Sequence, residues 1–291
     1  MKVLVTGGNG QLGSELGFVL GAAGDDVLLA SSDELDVRNR DLVQQVVGAV
    51  GPDVIIHGGA WTNVDGCELD PQRAYEVNAL GTRHVAEAAA RNGARVLYVS
   101  TDYVFDGRGS GVNGGGAYNE WHAPAPVSHY GRSKLGGEHE VQSILGPAAT
   151  IVRASWVVGR FGANFVKTML RVAADPTKDI VTVVDDQRGC PTFTADLAPM
   201  LRRLAVARLP GIFHVSNEGP VSWCEFAREI FATAGYDAAR VVGIPTSELM
   251  PARPAPRPTV SILDNAALRG SGLASMPEWG PSLRAVVAAL T

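Results

Sequence analysis

Short, nearly unbroken apolar runs alternate in the first half of the chain with longer stretches whose apolar residues recur every three or four positions. Lys2–Thr6, Asp26–Ala30, Asp53–His57, Arg95–Ser100 and Thr150–Arg153 read as strands. Gln11–Leu20, Asn39–Val50, Pro71–Arg91 and Tyr130–Leu145 read as the helices between them. Strands apolar on both faces belong in a parallel sheet that helices cover on each side. The alternation therefore predicts a doubly wound α/β unit. Local punctuation agrees: Asn39 stands at an N-cap, Gly51-Pro52 stops that helix, and Pro71 sits in a first turn where a missing N–H costs nothing.

Past residue 154 the rhythm weakens. Ile180–Val184 and Ile212–Val215 offer further strands, and Asn164–Val172, Ala195–Ala207 and Ser222–Ala234 further helices. Pro251, Pro254, Pro256 and Pro258 force an extended or turning path through that segment. We expect a first domain over 1–154 and a smaller one over 155–291, of which about 180–215 returns to the sheet. The glycine-dense stretch 107–116 reads as a loop insertion, with a lid as the alternative.

Composition narrows the classes. With 46% hydrophobic and 19% charged residues over 291 positions, the chain can bury a sizeable core and is not a disordered segment. Lys+Arg 25 against Asp+Glu 30 argues against nucleic-acid binding by bulk charge, while leaving room for a local cationic pocket. No apolar stretch reaches the ~18 residues of a membrane helix. Val3-Leu4-Val5 is too short for the core of a leader. Cys67, Cys190 and Cys224 are widely spaced with no CxxC pair, which fits a reducing cytoplasm. The six His show no metal-ligand spacing.

The chemistry starts at the first strand's end, where Gly7, Gly10 and Gly13 form a G-x-x-G-x-x-G run that opens a helix. A dinucleotide pyrophosphate needs free backbone N–H groups at a helix N-terminus, with no side chain in the way. Position, rather than the pattern, carries this reading. At the second strand's tip, Ser31 and Ser32 offer hydroxyls to a 2′-phosphate although no Arg adjoins them. That favours NADPH, with NADH as the alternative.

Tyr130 and Lys134 stand at i and i+4 of a predicted helix, on one face, in a chain with only four Lys. A free phenol, with a pKa of about 10, is a poor acid–base at neutrality. A neighbouring ammonium, together with a cationic nicotinamide ring, is expected to favour the phenolate, and such a Tyr can protonate a carbonyl oxygen as hydride reaches its carbon. Ser100-Thr101-Asp102 ends a strong strand at the edge where open α/β sheets bind ligands. Thr101 is the expected third catalytic residue.

These elements, TGGNGQLG at 6–13, STDYVFDG at 100–107 and YGRSKLGGE at 130–138, resemble the extended short-chain dehydrogenase/reductases. STDYVFDG and DDQRGCPT at 185–192 narrow the resemblance to the dTDP-4-dehydrorhamnose reductase family, over nearly the whole chain. The resemblance implies a Rossmann-type sheet with a C-terminal substrate domain, and reduction of the C4 ketone of a dTDP-4-keto sugar. It places Gly10, Gln11 and Leu12 on the pyrophosphate, Asp36 and Val37 on adenine, and Ala60, Trp61 and Thr62 beside the nicotinamide half. Thr101 and Asp102 would meet the sugar, Tyr130 would donate the proton and Lys134 would hold the nicotinamide ribose. Trp156 would wall the deoxysugar, while Asn164 and Arg257 would reach the diphosphate.

Some members of the family hold Mg2+ between subunits, which makes Glu15, Asp185 and Asp186 candidate ligands; a monomer or homodimer is expected. His57-Gly58-Gly59-Ala60 departs from the family's usual Asn and Ala-rich run, and is expected to loosen contacts behind the nicotinamide. Three rivals stay open: the same reduction of another dTDP-4-keto-6-deoxysugar, a 4,6-dehydratase or epimerase, and a non-catalytic regulatory subunit like that of a methionine adenosyltransferase. The dehydratase usually follows its Thr with Asp-Glu, where this chain has Asp102-Tyr103.

Overall fold

The computed structural model describes residues 1–109 and 116–291, so most of the glycine-dense 107–116 loop lies outside the described residues. Six parallel strands form the central sheet. β1 (Lys2–Thr6) lies between β2 (Asp26–Ala30), at one edge, and β3 (Val54–His57). β4 (Arg95–Thr101), β5 (Ala149–Ala154) and the strand Gly211–His214 follow in order to the other edge.

Alternate residues of these strands feed two cores, which is why the runs are continuously apolar. Val3, Val5 and Ile56 pack with Leu16 and Leu20 of α1 (Gln11–Ala22) and with Leu197, Leu201 and Leu204 of the helix Thr194–Ala207. Leu4, Ile55, Val96 and Ile151 face Val43, Val47, Val85, Ala89 and Val141 on the helices of the opposite side.

Strand limits match the sequence pattern to within a residue at either end. The Asn39 side chain accepts from Leu42 N, and Gly51 turns left-handed at φ +56°, as caps should. The run read as one helix from Pro71 is instead interrupted. α-Helical turns over Pro71–Tyr75 and Gly81–Asn92 flank a π-helical turn at Glu76–Leu80. Such turns add a residue and re-aim side chains, often at functional sites. Here the turn carries Asn78, which is fully buried.

Beyond β5 the chain builds a third core from Val158, Val166, Phe193, Phe226 and Ile230. The strand Val181–Val184 pairs with Val241–Ile244, away from the central sheet, whereas Gly211–His214 lies against β5. No helix among the described residues is long and apolar enough to cross a membrane.

Candidate active site

A cleft of about 810 Å³ opens where β1, β3, β4 and β5 end. Gly7, Gly10, Gln11, Leu12, Gly13, Asp36, Val37, Ala60, Trp61, Thr62, Thr101, Asp102, Tyr130, Lys134 and Trp156 all line it. The glycine turn has the form an anion requires. Gly7 is left-handed (φ +71°), and a Cβ on Gly13 would collide with the Gly7 carbonyl. Gly10 caps α1 without a side-chain hydrogen bond, and no acidic residue occupies the first turn. The N–H groups of that turn therefore face the cleft with the positive end of the helix dipole behind them. The Gln11 side chain leaves its buried Oε1 without a partner, so polar capacity remains beside the turn. These features fit a dinucleotide pyrophosphate.

At the adenosine end, Ser32 lines the cleft, whereas the Ser31 N–H and hydroxyl are both spent on Glu34 Oε2 (2.8 Å each). Sequence reasoning missed Arg38, which lines this end and forks onto Asp36 (2.7–3.1 Å). Its signal was only a basic residue two positions past the expected adenine contact.

The helix His129–Leu145 delivers Tyr130 and Lys134. Ser128 caps it by accepting from Gly131 N, and Gly131 lets it press onto the Tyr103 carbonyl. Lys134 is 3% exposed; its Nζ donates to Val99 O (2.8 Å) and lies 4.1 Å from the centre of the Tyr98 ring. Burial pulls this ammonium down to about 7, with Glu138 opposing. The expected acidification of Tyr130 by Lys134 does not occur in the protein alone. Burial pushes the phenol well above its ordinary value, the Thr101 hydroxyl opposes, and the nearby acidic groups Asp102, Tyr103 and Cys67 push it higher. Lys134 is turned to a backbone carbonyl instead. The phenol consequently keeps its proton, the state a proton donor needs.

A hydrogen-bond frame joins the glycine turn to this helix. The Thr82 hydroxyl donates to Asn78 O (2.7 Å), so it accepts from His57 Nε2–H (3.0 Å). His57 Nδ1 then accepts from the Thr6 hydroxyl (2.6 Å), whose oxygen takes Gly59 N–H (3.0 Å). Burial and the Lys134 charge pull His57 down to about 3, so the ring is neutral. Asn78 accepts from Trp61 N (2.8 Å), donates to Trp61 O (3.1 Å) and donates to Ser133 Oγ (3.0 Å). Ser133 in turn donates to Tyr130 O (2.8 Å). The expected loosening around His57 is thus corrected, because both ring nitrogens are satisfied.

The far wall is aromatic. Trp156 takes a left-handed backbone (φ +46°) and stacks on Trp223 with ring centres 3.6 Å apart and planes 9° from parallel. Trp223, also in the cleft, was missed; the Ser222–Glu225 capping box announces its helix but not this partner. Asn164 and Arg257 do not line the cleft. Asn164 caps the helix Phe165–Ala173, and Arg257 forks onto Asp65 (2.7 and 2.8 Å). The Mg2+ expectation finds no support. Glu15 is filled by Arg160 (3.0 and 3.2 Å) and Thr194, Asp185 accepts from Ser222, and Asp186 accepts from Thr246. No group of three potential ligands stands together among the described residues.

Residues 1–291 match the family described as "RmlD substrate binding domain". A dTDP-4-dehydrorhamnose reductase of Streptomyces griseus is 41% identical over 285 residues, covering 96% of this chain and 91% of that protein. A dTDP-4-keto-6-deoxy-D-glucose reductase of Streptomyces niveus is 35% identical over 280 residues, covering 96% and 94%. The crystal structure of dTDP-4-dehydrorhamnose reductase from Bacillus anthracis in complex with NADP superposes with a TM-score of 0.92. It is 41% identical and covers 99% of this chain and 100% of that one.

Proposed function

The chain belongs to the RmlD substrate-binding-domain family, and on that premise we propose that it reduces dTDP-4-dehydro-β-L-rhamnose to dTDP-L-rhamnose with NADPH. One observation carries the reading: Thr101, Tyr130 and Lys134 share a single cleft with an uncapped glycine turn. The dinucleotide, when bound, supplies the hydride for C4 of the sugar. The backbone N–H groups of Gln11 and Leu12 hold its pyrophosphate, with Gly10 N–H closing the turn onto Gly7 O (3.0 Å), and Lys134 trades Val99 O for a ribose hydroxyl. Tyr130, protonated at neutral pH, gives its proton to the C4 oxygen. Thr101 orients that oxygen, and the Trp156–Trp223 stack gives the deoxysugar a flat apolar wall. The first domain holds the dinucleotide, and the chain past residue 154 adds the sugar-facing wall. The NADP complex of the Bacillus anthracis structure and Arg38 both favour NADPH over NADH.

The test is NADPH oxidation with dTDP-4-dehydro-β-L-rhamnose, followed by identification of the product sugar. Stoichiometric oxidation with formation of dTDP-L-rhamnose is expected; NADPH binding with no oxidation rejects the reading. A second reading, reduction of another dTDP-4-keto-6-deoxysugar, draws on the Streptomyces niveus relative. A higher kcat/KM for dTDP-4-keto-6-deoxy-D-glucose would select it.

A further inference from the structure

Asp102 is buried to 2% exposure at the floor of the cleft, and no cation among the described residues faces it. The ionisable groups around it are the Tyr103 and Tyr130 phenols and the Cys190 thiol. Its Oδ1 accepts from the Thr101 hydroxyl at 3.0 Å. Its Oδ2 is buried and makes no hydrogen bond of good geometry among the described residues; the Ser261 hydroxyl lies beside the carboxyl and also reaches Arg188 O (3.5 Å). Leaving a buried carboxyl uncompensated costs roughly several kcal/mol when it ionises. Burial accordingly raises it to about 6, with the Ser261 and Thr101 hydroxyls opposing.

Resting on the reductase reading, we propose that Asp102 is the proton reservoir of the reaction, feeding Tyr130 through the Thr101 hydroxyl. That hydroxyl has one proton, and Asp102 decides where it points. With Asp102 ionised, Thr101 donates to Oδ1 and has no proton to offer the phenol beside it. With Asp102 protonated, the carboxyl donates to Thr101, Thr101 donates to the phenol oxygen, and the phenol proton is free for substrate. In turnover the Tyr130 O–H bond breaks as the alcohol O–H forms at C4. The Thr101 proton passes to the phenolate, the Asp102 proton replaces it on Thr101, and water entering after product release reprotonates the carboxylate. No other protein acid is required.

The experiment compares the full-length wild type with Asp102→Asn and Thr101→Val. The wild-type kcat should fall about tenfold per pH unit above the carboxyl titration, and Asp102→Asn should lose that dependence. Asp102→Asn has no carboxyl proton to pass on and should cycle at least about tenfold more slowly than wild type at pH 6. Thr101→Val should keep the carboxyl and lose both the proton path and the rate. Infrared difference spectra of the protein alone should show a carboxylic-acid C=O band that titrates near pH 6 and is absent from Asp102→Asn. An unchanged pH profile in Asp102→Asn, a wild-type rate at pH 6 in that variant, or no such band would each overturn the relay. A wild type that shows the band yet reduces no keto sugar rejects the reductase reading, and the relay with it.

Discussion

Glu138 and Asp102 are buried carboxyls near the same end of the sheet, and they meet opposite fates. Glu138, 1% exposed, takes a two-pronged contact from Arg153 (2.6 and 2.9 Å) and the Ser100 hydroxyl at 2.6 Å. Among the described residues, Asp102 has the Thr101 hydroxyl on one oxygen, no well-formed bond on the other although the Ser261 hydroxyl is near, and no ion pair. A charge buried with its partner fastens the helix His129–Leu145 to β4 and β5. A charge buried without one remains free to exchange a proton. The difference teaches where the fold spends its polar groups on structure and where it holds one in reserve.

The largest expected effect falls on the compensated side. Arg153→Ala leaves Glu138 buried with only Ser100, and should cost about 3–5 kcal/mol in urea unfolding. Asp102→Asn removes a charge that lacked compensation, so its urea midpoint should stay level or rise. A comparable loss at both positions would erase the contrast.

Next comes Tyr130→Phe, which cuts the proton path at its last atom. It should lower kcat by about 10²-fold or more, leave NADPH affinity nearly unchanged, and leave stability intact. Near-normal turnover would remove Tyr130 from the donor role. Separation of catalytic loss from stability loss distinguishes it from Arg153→Ala.

Legibility followed the range of the interaction. β1, β2 and the caps at Asn39 and Gly51 were readable because apolar period, cap chemistry and left-handed glycine are encoded within a few neighbours. Thr101, Tyr130 and Lys134 were readable because each stands at a strand or helix end that topology brings to one edge. The π-helical turn at Asn78 was not, because tertiary hydrogen bonds to Trp61 and Ser133 accompany it over an ordinary helical pattern. Nor was the Trp223 stack, which joins residues 67 positions apart (156 to 223). The direction of the Tyr130 shift in the protein alone was not readable either: i, i+4 spacing placed Lys134 on the right face, but the Val99 carbonyl decided where its ammonium points. Asp102's lack of a cation also depends on what other elements fail to provide.

A third way of burying an ionisable group gives the smallest predicted effect. His57 and His214 are both neutral, pulled down to about 3 chiefly by burial. In the unfolded chain each titrates near ~6.5. As pH falls below that value the unfolded state takes protons that the folded state refuses, so stability declines by about 1.4 kcal/mol per pH unit for each ring. Asp102 works in the opposite sense: raised to about 6, it holds a proton in the folded state that the unfolded carboxyl, titrating near ~3.9, does not. From pH 6 down to 5 the two rings outweigh the one carboxyl, and a net loss of about 1.4 kcal/mol is expected. His57→Gln removes one ring and should flatten the slope, whereas Asp102→Asn removes the opposing term and should steepen it to about twice the wild-type value. Urea midpoints for the three proteins at pH 6 and pH 5 measure this directly. A His57→Gln slope equal to that of wild type would show that the ring accepts protons in the folded state, and its neutral bridge from Thr6 to Thr82 would have to be abandoned.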